Sequence, residues 1–294
     1  MGARGRIRHV WQFVRQSCKE YTRDSCSLMA AAISFYVLLS LVPLLLVGLA
    51  TFGLFLGDEK AFQVVSQFLE QFLPPRLGGD TLYRHLADLR RLAGMAGILG
   101  LVSWVWAASA SFSTITRALD IVWEVPERRG FIASRLLAVA MMLIVGVLGL
   151  LSFVATSAIK IVQEYQIPWL GTRSGELPVV WQIVGWVLPL SLSITIFVLC
   201  YLVLPNARVG WRPALLGGLV GGILWELTKQ GFALYVANFA DYNRSSIYGY
   251  LGGLVFLVMW VYYSAAILLF GAEVASVSAE WSARGPKRMP EEDG

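Results

Sequence analysis

Charge is scarce in this chain, and the residues that build hydrolytic and metal sites are scarcer still. Of 294 residues only 15% are Asp, Glu, Lys or Arg, while 57% are hydrophobic; a soluble domain carries about 25% charged residues. Histidine occurs only as His9 and His85, and cysteine only as Cys18, Cys26 and Cys200. There is no HxH pair, no Asp-rich cluster and no zinc-type cysteine spacing, so no metal and no other cofactor is expected. The two histidines fall on opposite sides of the topology derived below, and no acid–base or nucleophile–base pairing for hydrolysis stands out. No nucleotide-binding motif is visible either. The expectation is a protein that is not an enzyme. Cys18 and Cys26 lie in one polar segment and Cys200 in an apolar run, which leaves no structural disulfide to expect.

What the chain has instead is long apolar runs. Stretches free of charge fall within 25–57, 92–116, 136–159, 177–207 and 245–272, each long enough for the roughly 20 residues that cross about 30 Å of hydrocarbon. A sixth, 213–240, holds two charged residues. The reading is an all-α integral membrane protein, a bundle of six transmembrane helices at roughly 28–55, 92–118, 136–159, 179–204, 213–240 and 250–270. Residues 1–27 form a basic amphipathic segment ahead of the 28–272 membrane domain, and 273–294 a polar tail.

The net charge of +5 points to topology rather than to nucleic acid. With the N-terminus inside, 15 Lys and Arg residues fall on the inner side and 8 on the outer, as the positive-inside rule requires. Both termini are therefore expected in the cytoplasm. No cleavable signal peptide is visible, so the first span is read as an uncleaved anchor. Ile7, Val10, Trp11 and Val14 recur at helical spacing opposite Arg8, Gln12, Arg15 and Lys19. This suits a helix on the inner leaflet facing anionic lipid, and equally a solvated helix packed on the bundle. In the first outer loop Phe62, Val65, Phe68, Leu69 and Phe72 form a similar stripe.

Glu226 and Lys229 are the only charged residues between Arg212 and Asp241. An ionised side chain near the bilayer centre costs roughly 2.5–3.5 kcal/mol on insertion scales, and three residues of separation puts both on one helix face. Polar residues elsewhere supply a candidate lining for such a site: Ser34, Tyr36 and Ser40 in the first span, Ser109 and Ser113 in the second, and the hydroxyls after Pro189 in the fourth. Pro43 and Pro189 each remove a helix donor and predict kinks. Gly217, Gly218, Gly221 and Gly222 make two overlapping GxxxG patterns. That face serves either another span or another copy of the chain, so a homo-oligomer stays open. Arg117 and Asp120, also three apart, read as a boundary ion pair.

Several short motifs resemble those of the YihY/BrkB membrane protein family, once labelled ribonuclease BN. They are Ala31-Ala-Ile-Ser-Phe-Tyr-Val-Leu-Leu-Ser-Leu-Val-Pro-Leu-Leu-Leu46, Arg117-Ala-Leu-Asp-Ile-Val-Trp123, Leu204-Pro-Asn-Ala-Arg-Val-Gly-Trp-Arg212, Leu224-Trp-Glu-Leu-Thr-Lys229, and Tyr248-Gly249 with Gly271-Ala-Glu273. They stand in the family's order from about residue 30 to 275. The resemblance implies a six-helix protein of the bacterial inner membrane with a transporter-like role, linked in the family to virulence and envelope export. The residues themselves argue against the nuclease label. Two readings remain: a transporter or flippase for a small polar or zwitterionic solute or a lipid-linked molecule, and a structural or assembly protein of the envelope. The expected partners are membrane lipids and an unidentified cargo, with no nucleic acid.

Overall fold

The computed structural model describes residues 3–56, 93–125, 130, 132–134, 136–148, 178–239 and 247–284. The described residues are helical almost throughout, with no strand among them. In chain order the helices are α1 (Ala3–Arg23), α2 (Cys26–Leu56) and α3 (Ala93–Val122), the shorter α4 (Ile132–Leu148), then α5 (Pro178–Val203), α6 (Trp211–Phe239) and α7 (Ile247–Arg284). The outer loop 58–91 with its apolar stripe, the stretch 149–177 and the end of the polar tail lie outside the described residues.

Among the described residues, Val255–Ala283 is long and apolar enough to cross a membrane, and His9–Arg23 with Cys26–Leu41 passes the same criterion as a bent pair. Ile132–Leu148 and Val187–Val203 are shorter apolar helices. The main departure from the sequence reading is α7. It does not stop near Phe270 but continues to Arg284, 38 residues in all, or about 57 Å at 1.5 Å per residue. A hydrocarbon layer of about 30 Å takes up some 20 residues, so α7 is longer than a single crossing needs. The apolar periodicity explains the continuation: Leu269, Ala272, Val277 and the intervening Glu273 fall on one face, and all are buried.

The chain divides into two compact units, one drawing on 1–29, 115–229 and 266–294, the other on 30–114 and 230–265. In the first unit the glycines of α6 are used within the chain. A Cβ at Gly217 would collide with the backbone oxygen of Gly271 on α7 and stand 2.8 Å from the Ala275 Cβ. At Gly218 it would strike Val198 of α5, and at Gly222 it would stand 3.2 Å from the Ile194 backbone nitrogen. Gly221 likewise faces Tyr201 and Phe197 of α5, so three of the four glycines meet α5 and Gly217 meets α7, and that close approach is what small residues permit. Tyr201, fully buried on α5, donates its hydroxyl to the Leu268 carbonyl of α7 at 2.8 Å. Its Oη occupies the space a side chain at Gly271 would need.

α1 packs one face onto the extension of α7. Phe13 meets Trp281 edge-on at 5.2 Å, and the Trp281 indole donates to Gln16 Oε1 at 2.7 Å. Val10, Trp11 and Val14 remain exposed on the other face. α3 ends in a Schellman pair of bonds, Val125 N–H to the Asp120 carbonyl and Glu124 N–H to that of Ile121. Glu124 takes the left-handed position, φ 48°, which glycine usually fills.

In the second unit Phe232 is ringed by Phe256 at 4.7 Å, Trp260 at 4.8 Å and Tyr263 at 6.2 Å. Such edge contacts between ring systems are a packing core.

Candidate functional site

Glu226 and Lys229 lie near the middle of α6, one turn past its glycine half. Their side chains meet: Lys229 Nζ is 2.7 Å from Glu226 Oε1, with the lysine 35% and the glutamate 18% exposed. The same Oε1 accepts a hydrogen bond from Ser193 Oγ of α5 at 2.8 Å. One carboxylate oxygen therefore carries an intrahelical ion pair and an interhelical hydrogen bond together. The close α5–α6 approach allowed by Gly218 and Gly222 is what brings Ser193 within reach. A lysine ammonium has three donors, and a single oxygen takes up one of them.

The lining residues proposed in the first and second spans belong to the other compact unit. Their hydroxyls are largely spent on their own helices. Ser34 donates to the Ala30 carbonyl at 2.7 Å, Ser40 to Val37 at 2.7 Å, Ser109 to Trp106 at 2.8 Å and Ser113 to Ser109 at 2.7 Å. Ser34 and Ser109 are buried, while Tyr36 is half-buried and meets Phe35 edge-on at 5.5 Å. Pro43 and Pro189 stand inside α2 and α5, and both helices continue through them.

Asp120 has a different partner from the one its spacing suggests. Its Oδ1 accepts the backbone N–H of Asn206 at 2.7 Å, and no Arg117–Asp120 pair occurs among the ion pairs of the described residues. The bond fastens the end of α3 to the Leu204–Arg212 turn. A backbone donor at the end of a broken helix is a fixed target, whereas Arg117 is exposed and a boundary ion pair gains little there.

The residue that spacing did not single out is Glu273. Its side chain is 1% exposed, and Oε1 accepts a hydrogen bond from Cys26 Sγ at 3.3 Å. It forms part of the wall of a cleft of about 170 Å³ that Glu20, Arg23, Trp123, Glu124 and Glu280 also line. Arg23 bridges this cleft, pairing with Glu20 at 2.7 Å, Asp24 at 2.9 Å and Glu124 at 2.7 Å. Burial pushes the Glu273 carboxyl up to about 8; Asp24 and Glu20 push the same way, against the Cys26 hydrogen bond and Arg23. Burial likewise raises the Cys26 thiol. The signal available in the sequence was a lone acid on the apolar face of a helix running past Phe270. No metal-holding group of His, Cys, Asp and Glu occurs among the described residues.

A family model described as "Virulence factor BrkB" matches residues 17–294. A UPF0761 membrane protein of Alkalilimnicola ehrlichii is 33% identical over 286 residues, covering 94% of this chain and 60% of the relative. One from Legionella pneumophila is 30% identical over 283 residues, covering 95% and 65%. One from Alteromonas mediterranea is 29% identical over 300 residues, covering 97% and 95%. The chain thus spans less than two thirds of the first two relatives' length and nearly all of the third's. No solved structure matches it.

Proposed function

Since the chain belongs to the BrkB family of membrane proteins, we propose that it moves a small zwitterionic solute, or a lipid-linked molecule with such a head, past Glu226, Lys229 and Ser193. In this reading it spans the bacterial inner membrane six times with both termini in the cytoplasm, and it acts without cofactor or catalysis. The observation that carries the reading is the shared oxygen. Glu226 Oε1 holds both Ser193 and Lys229, while Lys229 keeps donors to spare and a third of its surface open. A zwitterion brings an anion for the ammonium and a cation for the carboxylate, so it can replace the internal pair without leaving either charge uncompensated. Intramembrane charges mark function more often than not.

The same bonds also suit a structural role, in which the pair fixes the α5–α6 register. Ion pairs confer that kind of specificity in some systems. The two readings separate in proteoliposomes loaded with a small zwitterionic solute, or carrying a labelled zwitterionic lipid. Transport by the wild type that is lost in Glu226→Gln with Lys229→Met, while that variant stays monodisperse, supports the transport site. Unchanged transport by the neutral double variant removes this site from the mechanism. Absence of any flux in the wild type, together with rescue of folding by the charge swap Glu226→Lys with Lys229→Glu, leaves the structural role.

A further inference from the structure

The cleft around Glu273 lies apart from the Glu226 site along the sequence, and the transport reading does not use it. Three features make it unusual. Its carboxyl is buried beside Glu20 and Arg23 of α1, and on the span read from the sequence, 250–270, it lies beyond the hydrocarbon. Its hydrogen-bond partner is a thiol, a weak donor, rather than a lysine or arginine. The other charged groups facing it are chiefly acids: Glu20 on α1, Asp24 in the α1–α2 turn, Glu124 after α3 and Glu280 two turns along α7, with Arg23 as the one basic side chain among the described lining residues. Arg23 is already held by Glu20, Asp24 and Glu124, so its opposing pull on Glu273 is shared with three other carboxylates.

A buried carboxylate in this position would add a negative charge to a cluster that already has several. Desolvation and like charge both favour the neutral acid, and a proton is the smallest ligand that satisfies it. We infer that Glu273 is a proton-binding site, closed at the back by Cys26 and reached from solvent through the cleft that Arg23 bridges. The proton bound there neutralises the acid cluster and keeps the α1–α2 turn seated on α7. Its loss adds a charge that needs water, and water enters through the same cleft. Burial pushes the carboxyl up to about 8, so the site responds to the pH of the compartment that the cleft faces. Two left-handed residues, Ser25 at φ 54° and Glu124 at φ 48°, flank it. Each costs about 1–2 kcal/mol, a strain the closed arrangement must hold.

The proton can be read directly by infrared difference spectroscopy of the full chain in nanodiscs, between about pH 6 and pH 9. A carboxyl C=O band should disappear as pH rises through this range, and Glu273→Gln should lack that change. In the wild-type background Glu20→Gln should move the midpoint to lower pH, and Arg23→Gln to higher pH, each by roughly half a pH unit or more. A second readout is alkylation of Cys26 after Cys18→Ser, which should accelerate above the midpoint and lose that step in Glu273→Gln. An identical titration in wild type and Glu273→Gln overturns the proposal. If Glu273→Gln does not fold, midpoints that stay put or shift in the same direction in the Glu20 and Arg23 variants overturn it as well.

Discussion

Glu226 and Glu273 both stand on long apolar helices, yet the protein accommodates them by opposite means. Glu226 is matched by a cation on its own helix and a hydroxyl from the next, and it keeps a partly open edge. Glu273 is closed off, faces other acids and has a thiol for a partner. A charge in apolar surroundings must be paired or neutralised. Pairing leaves a site that a zwitterion can enter by exchange. Neutralisation leaves a site whose natural ligand is a proton.

The largest expected effect strikes what the two sites share. Glu226 stands on α6 and Glu273 on α7, and these helices meet where a side chain at Gly217 would have the backbone of Gly271 in its way. Gly217→Leu should lower stability by about 3 kcal/mol and disturb both sites together. Detergent-solubilised variant that melts with the wild type and retains both transport and the Glu273 titration would show that the glycine face is not a shared foundation.

Next in size is the loss of one member of the pair. Glu226→Ala leaves the Lys229 ammonium in an apolar run, at a cost of about 2–3 kcal/mol, and should abolish transport. Glu226→Ala combined with Lys229→Met should recover most of the stability and none of the transport. Recovery of both in the double variant, measured by thermal melting and flux, would mean the pair is an encumbrance rather than a site.

The comparison also explains what the sequence could reveal. The Glu226–Lys229 contact was legible because both partners lie on one helix, three residues apart, and helix geometry alone brings them together. Ser193 was visible only as one hydroxyl among several after Pro189; choosing it required the α5–α6 register, which Gly218 and Gly222 set through contacts with residues some two dozen positions away. Glu273 was harder still. Its partner Cys26 is 247 residues distant, and an acid three residues past an expected span end looks like a boundary charge. The helix types were readable from hydropathy, but the end of α7 was not, because its last turns pack against α1, a contact that hydropathy does not record. Arg117 and Asp120 show the converse hazard. Correct spacing there predicted a pair, and tertiary structure supplied Asp120 with the Asn206 N–H instead.

A smaller effect should separate the sites by pH. The Glu273 carboxyl has its ordinary value of 4.5 when unfolded and is raised to about 8 when folded. Between those values the folded state binds more protons, so its stability falls as pH rises. The contribution is fully present below about 4.5 and lost through 8. In Glu273→Gln this component vanishes, so the melting temperature of the variant should gain on the wild type by several degrees or more between pH 5 and pH 8.5. A Glu273→Gln gap that stays constant with pH would place its titration elsewhere.

The smallest effect on stability bears most directly on how Glu226 works. Ser193→Ala removes one interhelical hydrogen bond, and such bonds average about 0.6 kcal/mol in membrane proteins. Melting should therefore barely change. Transport should change more, because Ser193 holds the same oxygen as Lys229 and so fixes which way the carboxylate points. With the serine gone, Glu226 can rotate toward Lys229 and bind it with both oxygens, which tightens the pair that a zwitterionic cargo must separate. The apparent affinity for cargo should weaken while the maximal rate is largely kept. Unaltered affinity in Ser193→Ala would reduce the hydroxyl to helix packing and leave Glu226 and Lys229 to act alone.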